Sequence, residues 1–295
     1  MALIRVGHSP DPDDAFMFYA LTFGKLDTGE ERYEHHLLDI ETLNRKAESA
    51  EFEVTAISFH AYAYVADRYA LLPHGASMGD GYGPILVARR FGGEPLAWLA
   101  GKRIAVPGTR TSAFLALRLF ARGSGQGRGA PPAFDAVVTP FDQIITVVAS
   151  GQCDGGLLIH EGQLTYHQAQ SGRLQKVVDL GAWWKSETGL PLPLGGNAIR
   201  RDLAPDLITR VSRHIQASIQ WGLAHRGEAL QYALKHARGL DSALADEFVR
   251  MYVNQYTLEY GSKGREAVQE FIGLGRKAGY IESLLNLQWS DQEVT

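Results

Sequence analysis

Up to about residue 200, short apolar runs alternate with polar turns and with longer segments whose apolar positions recur three and four apart. Continuous apolar runs of four to seven residues read as buried strands of an α/β sheet, and the longer periodic segments read as helices. The pattern predicts strands over Leu3–Gly7, Tyr33–Asp39, Phe52–Ser58, Ile85–Ala88, Lys102–Val106, Asp135–Val138, Leu157–Ile159 and Val177–Leu180. It predicts helices over Ala15–Leu21, Glu41–Glu51, Ala61–Tyr69, Ala113–Arg122 and Phe141–Ser150. From Asp202 onward the pattern turns helical. Leu207, Val211, Ile215, Ile219 and Leu223 share one helical face, and Arg226–Ala237, Asp241–Tyr256 and Ser262–Ala278 continue the block with Asp241 and Ser262 as N-caps.

Two composition shifts divide the chain. Arg89–Pro95 is charged and glycine-rich, and Leu194–Ile199 reads as a second crossing. The expected architecture is two α/β lobes. Lobe one is discontinuous (1–90 and 198–295) and carries the C-terminal helices, and lobe two spans 91–197. Ligand is expected in a cleft between the lobes, where hinge closure excludes water. Gly123–Pro132 reads as a surface loop.

The length of 295 residues agrees with two domains. The net charge of -4 argues against a nucleic-acid partner, which needs a basic face. Cys153 stands alone, so no intramolecular disulfide forms, which fits a reducing compartment. A strand is expected at once after Met1, leaving no room for an export signal. There is no run of about 18 apolar residues to span a membrane. The expectation is a soluble cytoplasmic protein without a membrane or nucleic-acid partner, present as a monomer or homodimer.

The candidate chemistry collects at strand ends, which face the binding crevice in open α/β sheets. His160 stands where the Leu157–Ile159 run stops, and a neutral imidazole there accepts a proton. The alternative is a loop histidine that only makes a hydrogen bond. In His8-Ser9-Pro10-Asp11-Pro12-Asp13-Asp14, Asp13 and Asp14 are either helix caps or part of a ligand loop. They lack the histidine or cysteine that would complete a metal shell. Ser58 occupies a strand-to-helix turn. Pro107–Ser112 offers hydroxyl and helix N–H donors to an anion, or plain capping; it lacks the Gly-Lys-Ser/Thr element of a P-loop. Trp183 and Trp184 fit core packing better than a pocket wall.

Four segments carry a family resemblance: His8-Ser9-Pro10-Asp11-Pro12-Asp13-Asp14-Ala15-Phe16-Met17-Phe18, Ile40-Glu41-Thr42-Leu43-Asn44-Arg45, Gly156-Leu157-Leu158-Ile159-His160-Glu161 and Asp179-Leu180-Gly181-Ala182-Trp183-Trp184. Together they resemble the 1,4-dihydroxy-6-naphthoate synthase family of the futalosine route to menaquinone, over nearly the whole chain. Many members carry Cys, Asn and Thr where this chain has Asp11, Asp13 and Ala15. The resemblance implies a type II periplasmic-binding-protein-like fold and a cofactor-independent, metal-free lyase acting on a small-molecule carboxylate, cyclic dehypoxanthine futalosine. It implies His160 as the proton acceptor. It also implies substrate contacts at Ser9, Ala56, Ile57 and Ser58 on lobe one and at Thr111, Ser112 and Ile159 on lobe two. Some members have a lysine two positions before the serine, where this chain has Ala56. The competing expectations are chorismate dehydratase, of the same fold, and a non-catalytic binding protein for a small organic anion.

Overall fold

The computed structural model describes residues 2–123, 131–168, 174–235 and 242–292. The chain divides into two compact units. One comprises Met1–Met78, Pro193–Gln269 and Ser283–Thr295, the other Gly79–Leu192 and Glu270–Glu282.

The first unit opens with β1 (Ala2–His8) and α1 (Pro12–Thr22), then β2 (Glu31–Leu37), α2 (Ile40–Ala47), β3 (Val54–Ser58), α3 (Phe59–Tyr62), β4 (Tyr69–Leu71) and β5 (Ser77–Gly79). Proline fits the first helical turn because that N–H has no intrahelical partner, so α1 starts at Pro12, earlier than expected. The helix expected over Ala61–Tyr69 is the single turn α3, ending at Tyr62, and Tyr69 already belongs to β4.

The second unit contains β6 (Ile85–Ala88), α4 (Pro95–Leu99), β7 (Arg103–Val106), α5 (Ser112–Arg122), β8 (Asp135–Val138), α6 (Ile144–Ala149), β9 (Gly155–Leu158), α7 (Gly162–Thr165), β10 (Gln175–Asp179) and α8 (Leu180–Thr188). β6, expected in lobe one, is hydrogen-bonded between β9 and β10 in the second sheet. The pairing of a strand outranks the charged segment that follows it, so the boundary expected at residue 90 lies too late. Most of the Gly123–Pro132 loop lies outside the described residues.

The chain returns through β11 (Leu192–Arg200) and continues into α9 (Pro205–Ala224), α10 (Arg226–Leu234), α11 (Ser242–Tyr252), α12 (Gln255–Leu258) and α13 (Gly261–Lys277). Asn254 and Thr257 form a capping box that breaks the helix expected through Tyr256. Ser262 falls inside the first turn of α13, not at its cap, and Asp241 lies outside the described residues.

The first sheet has the order β2-β1-β3-β11-β4, with β5 paired to β11; the second has the order β10-β6-β9-β7-β8. The first core packs Ile4, Val6, Val54 and Ile199 against Phe16 and Met17 of α1 and Val211, Ile215 and Ile219 of α9. That α9 row is the helical face read from the sequence.

In the second unit α6 presses Ile144 and Val148 onto β9. A Cβ at Gly156 would lie 2.4 Å from Ile144 Cγ2, so a side chain there would push the helix off the sheet. The strand expected over Leu157–Ile159 therefore begins two residues earlier, at Gly155 and Gly156, and Ile159 lies just beyond its end. Residues 270–282 complete this unit. Phe271 meets the fully buried Trp184 edge-on at 5.4 Å, and the Arg118 guanidinium sits 3.7 Å from the Tyr280 ring centre. Trp184 also donates through Nε1 to Pro191 O, which makes it a core residue.

Candidate functional site

In the first unit β1, β2 and β3 run parallel, so their C-terminal ends share one sheet edge. That edge carries Ser9 and Ser58, and β11 enters it antiparallel with Gly195 opposite Ser58. Asn44, buried on α2, clamps Ser58 from two directions. Ser58 N–H donates to Asn44 Oδ1 at 2.9 Å, and Asn44 Nδ2 donates to Ser58 Oγ at 3.1 Å. Because Ser58 Oγ accepts from Asn44, its own hydrogen points elsewhere. Ala56 and Ile57 are buried in β3 opposite Asn197 and Gly196. They contribute backbone pairing and, at Ala56, only a methyl group.

The turn from β1 to α1 is acidic and closed on itself. Ser9 N–H donates to Asp14 Oδ2 at 2.7 Å, Ser9 Oγ donates to Asp11 Oδ2, and Asp11 N–H donates to Ser9 Oγ at 3.0 Å. The Ser9 hydroxyl, expected to contact substrate, is thus spent on Asp11. Asp13 and Asp14 stand in the first turn of α1, and the N-cap position is Asp11. Asp14 holds the turn by accepting from Ser9. Burial pushes its carboxyl well above the usual range, with Asp13 and Asp11 adding repulsion and the Ser9 N–H acting against them.

Behind this turn His8 Nδ1 donates to Ser9 O at 2.9 Å, since a carbonyl only accepts. His8 Nε2 then accepts from His35 Nδ1 at 3.0 Å. Burial lowers the His35 pKa to about 4. His74, which meets Ser212 Oγ at 3.0 Å, is lowered to about 4 by the same cause against the help of that hydrogen bond.

In the second unit β8, β7 and β9 are parallel, with Ala105 opposite both Val137 and Gly156. Their C-terminal ends deliver three turns to one edge: Thr139–Phe141, Pro107–Ser112 and Ile159–Glu161. β6 runs antiparallel to β9 with Ile85 opposite Leu158, so Pro84 joins the same edge. His160 is half-buried there. Its ring meets Phe141 edge-on at 5.0 Å, and its backbone φ is +53°. A left-handed conformation at a non-glycine residue costs energy and clusters at functional sites. It turns the chain sharply as β9 ends, which sets the imidazole at the edge.

Thr111 is the N-cap of α5. Its Oγ1 accepts from Phe114 N–H at 3.2 Å and donates to Gly108 O at 2.9 Å. The hydrogen expected for a substrate carboxylate is therefore given to Gly108. Ser112 is buried in the first helical turn, beside backbone N–H groups that helix geometry leaves without intrahelical acceptors.

The structure thus brings together His160, Ile159, Thr111 and Ser112 at one edge, and Ser9, Ala56, Ile57 and Ser58 about the other. Asn44, the clamp on Ser58, was not singled out from the sequence. It lies inside a quoted sequence segment, yet nothing in helical periodicity marks it as the clamp on Ser58. Among the described residues, no three His, Cys, Asp or Glu side chains are placed to hold a metal ion. No helix among them is long and apolar enough to cross a membrane.

A family model described as menaquinone biosynthesis matches residues 4–277. The chain is 42% identical over 279 residues to a 1,4-dihydroxy-6-naphthoate synthase of Thermus thermophilus, covering 95% of this chain and 96% of that one. It is 34% identical to the enzyme of the same name from Streptomyces coelicolor, covering 95% of each. A crystal structure of an Archaeoglobus fulgidus protein aligns with a TM-score of 0.85 at 47% identity, covering 95% of this chain and 98% of that one. A Candida albicans protein described as having the generic periplasmic binding protein fold aligns with a TM-score of 0.69 at 14% identity, covering 96% and 92%. That last likeness assigns the fold.

Proposed function

Because the chain belongs to the menaquinone biosynthesis family, we propose that it is a carbon–carbon lyase that converts cyclic dehypoxanthine futalosine to 1,4-dihydroxy-6-naphthoate, with His160 as the general base. The observation that carries this reading is the 42% identity to a synthase of that name across 95% of the chain. The left-handed backbone that holds His160 at the end of β9 supports its role.

The substrate is a carboxylate carrying a spiro-fused, sugar-derived ring. His160 takes a hydroxyl or carbon-bound proton, the ring fragments, and aromatisation drives the release of the sugar-derived part. A positioned base contributes ~10²–10⁴-fold, so orientation must supply much of the rest. Ser112 and the N-terminal N–H groups of α5 hold the carboxylate, because the helix end favours negative charge. Thr111 serves by shaping that end through its cap. On the first unit, Ser58 meets the substrate with the hydroxyl hydrogen that Asn44 leaves available.

Incubating the purified protein with cyclic dehypoxanthine futalosine tests the reading. Naphthoate fluorescence is expected to grow with time and to scale with protein concentration. Its absence from an intact, folded sample overturns the assignment.

A further inference from the structure

One buried polar side chain of the first unit has no part in the scheme above. Asn197, on β11, is 1% exposed. Its Nδ2 donates to Gly75 O at 3.4 Å. A carbonyl only accepts, so this contact orients the amide with Oδ1 turned away from Gly75. Oδ1 is itself buried and has no hydrogen-bond partner among the described residues. Leaving a buried amide oxygen bare costs free energy, and such an atom marks the place of a missing donor.

The ladder shows where that donor would stand. Asn197 pairs with Ala56, and Gly195 pairs with Ser58. Residues opposite each other, or two apart on one strand, share a face of the sheet. Asn197 and Ser58 are therefore diagonal neighbours on one face, and the other two positions hold only a methyl group and a hydrogen atom. Gly75 closes on the amide with φ +77°, and a Cβ there would lie 2.2 Å from Asn197 Nδ2. The amide is thus held by the backbone of the Gly75 loop, on the face of the sheet that carries Ser58.

We infer that Asn197 Oδ1 and the Ser58 hydroxyl together hold one neutral hydroxyl of the substrate, Asn197 accepting its hydrogen and Ser58 donating to its oxygen. Only a group that both gives and takes a hydrogen bond suits the two. A carboxylate has no hydrogen for Asn197, and an ammonium has no lone pair for Ser58. The inference rests on the proposed lyase function, and the hydroxyl held is one of the sugar-derived part that leaves, not a ring hydroxyl of the product. Asn197 then distinguishes substrate from product.

The test compares wild type with Asn197→Ala, and with Asn197→Ser should the alanine variant fail to fold. Turnover of cyclic dehypoxanthine futalosine, affinity for 1,4-dihydroxy-6-naphthoate and the thermal midpoint are measured for each. The variant is expected to lose about tenfold or more in kcat/KM, the range of one hydrogen bond. Its product affinity is expected to stay unchanged, and its thermal midpoint to fall only by what the lost Nδ2 bond to Gly75 O accounts for, because no bond of the folded chain is lost at Oδ1. Unchanged kcat/KM, or equal losses for substrate and product, overturns the inference while leaving the lyase reading intact. A lowered midpoint with unchanged kcat/KM also overturns it, as a purely structural role. A wild-type protein that makes no product overturns both.

Discussion

The two sheet edges use the same strand–turn–helix plan with opposite electrostatics. In the first unit the turn into α1 holds Asp11, Asp13 and Asp14, and burial and mutual repulsion raise the Asp14 pKa. In the second unit the turn into α5 holds no carboxylate. It offers Ser112, the first-turn N–H groups of an eleven-residue helix and a threonine cap. Both turns open onto the N-terminus of an eleven-residue helix, but an organic acid placed at the first also meets the crowded carboxyls, and at the second it meets none. A shared backbone plan therefore leaves open which edge takes an anion; the few residues of each turn decide it. On the proposed reading, the second edge takes the carboxylate and supplies the base, and the first supplies neutral donors and acceptors.

The largest test of this division removes the base. His160→Ala is expected to lower kcat by ~10²–10⁴-fold while product binding is retained, measured by fluorescence turnover and titration. Full turnover would take the chemistry away from the second edge.

Acid separates the units next. The histidines held below their ordinary pKa, His35, His74 and His214, all belong to the first unit. The unfolded chain binds their protons more readily, so stability is full above about pH 6.5 and is lost as the pH falls toward about 4. For the buried His74 alone the loss reaches roughly 3 kcal/mol. Hydrogen exchange across this window should show the first unit opening before the second, and His74→Gln should blunt the loss. Opening of the second unit first would contradict this.

Asn44→Ala probes the clamp on Ser58. Losing both hydrogen bonds should cost ~1–3 kcal/mol in denaturant unfolding and lower kcat/KM. An unchanged KM and kcat would show that Ser58 needs no positioning.

The smallest effects divide Thr111 from Ser112. Thr111→Val removes a cap and should cost ~1 kcal/mol of stability with a minor change in KM. Ser112→Ala should raise KM about tenfold, the size of one charge-assisted hydrogen bond. The reverse pattern would return the carboxylate contact to the Thr111 hydroxyl.

Much of this arrangement was legible in the residues. β1, β3, β6, β7 and β9 announce themselves as short apolar runs, and α9 as a row three and four apart, because burial on one face imposes those periods, whereas β4 and β5 were not read as strands. His160, Ser58 and Thr111 stand out in the sequence because they end or follow strands, where a polar residue has to face a crevice or a cap. Three kinds of feature were not legible. The pairing of β6 with β9 and β10 is a long-range contact that local composition does not encode. Gly155 and Gly156 look like a turn before the strand, yet they open β9, and at Gly156 α6 comes too close for a side chain. The Thr111 hydroxyl reads as an anion donor until its hydrogen is seen on Gly108, and Asn44 reads as an ordinary helical polar residue until Ser58 is seen beside it.

The second unit cannot be cut out as one continuous piece. Residues 79–192 hold all five of its strands, but Phe271 and Tyr280 arrive from more than seventy residues downstream of Leu192. A fragment ending at Leu192 would leave Trp184 and Arg118 without those rings, exposing an indole that the intact chain seals. Splitting this protein into halves for expression or for transplanting into another scaffold must therefore carry that late strip along, grafted behind α8 by a short linker.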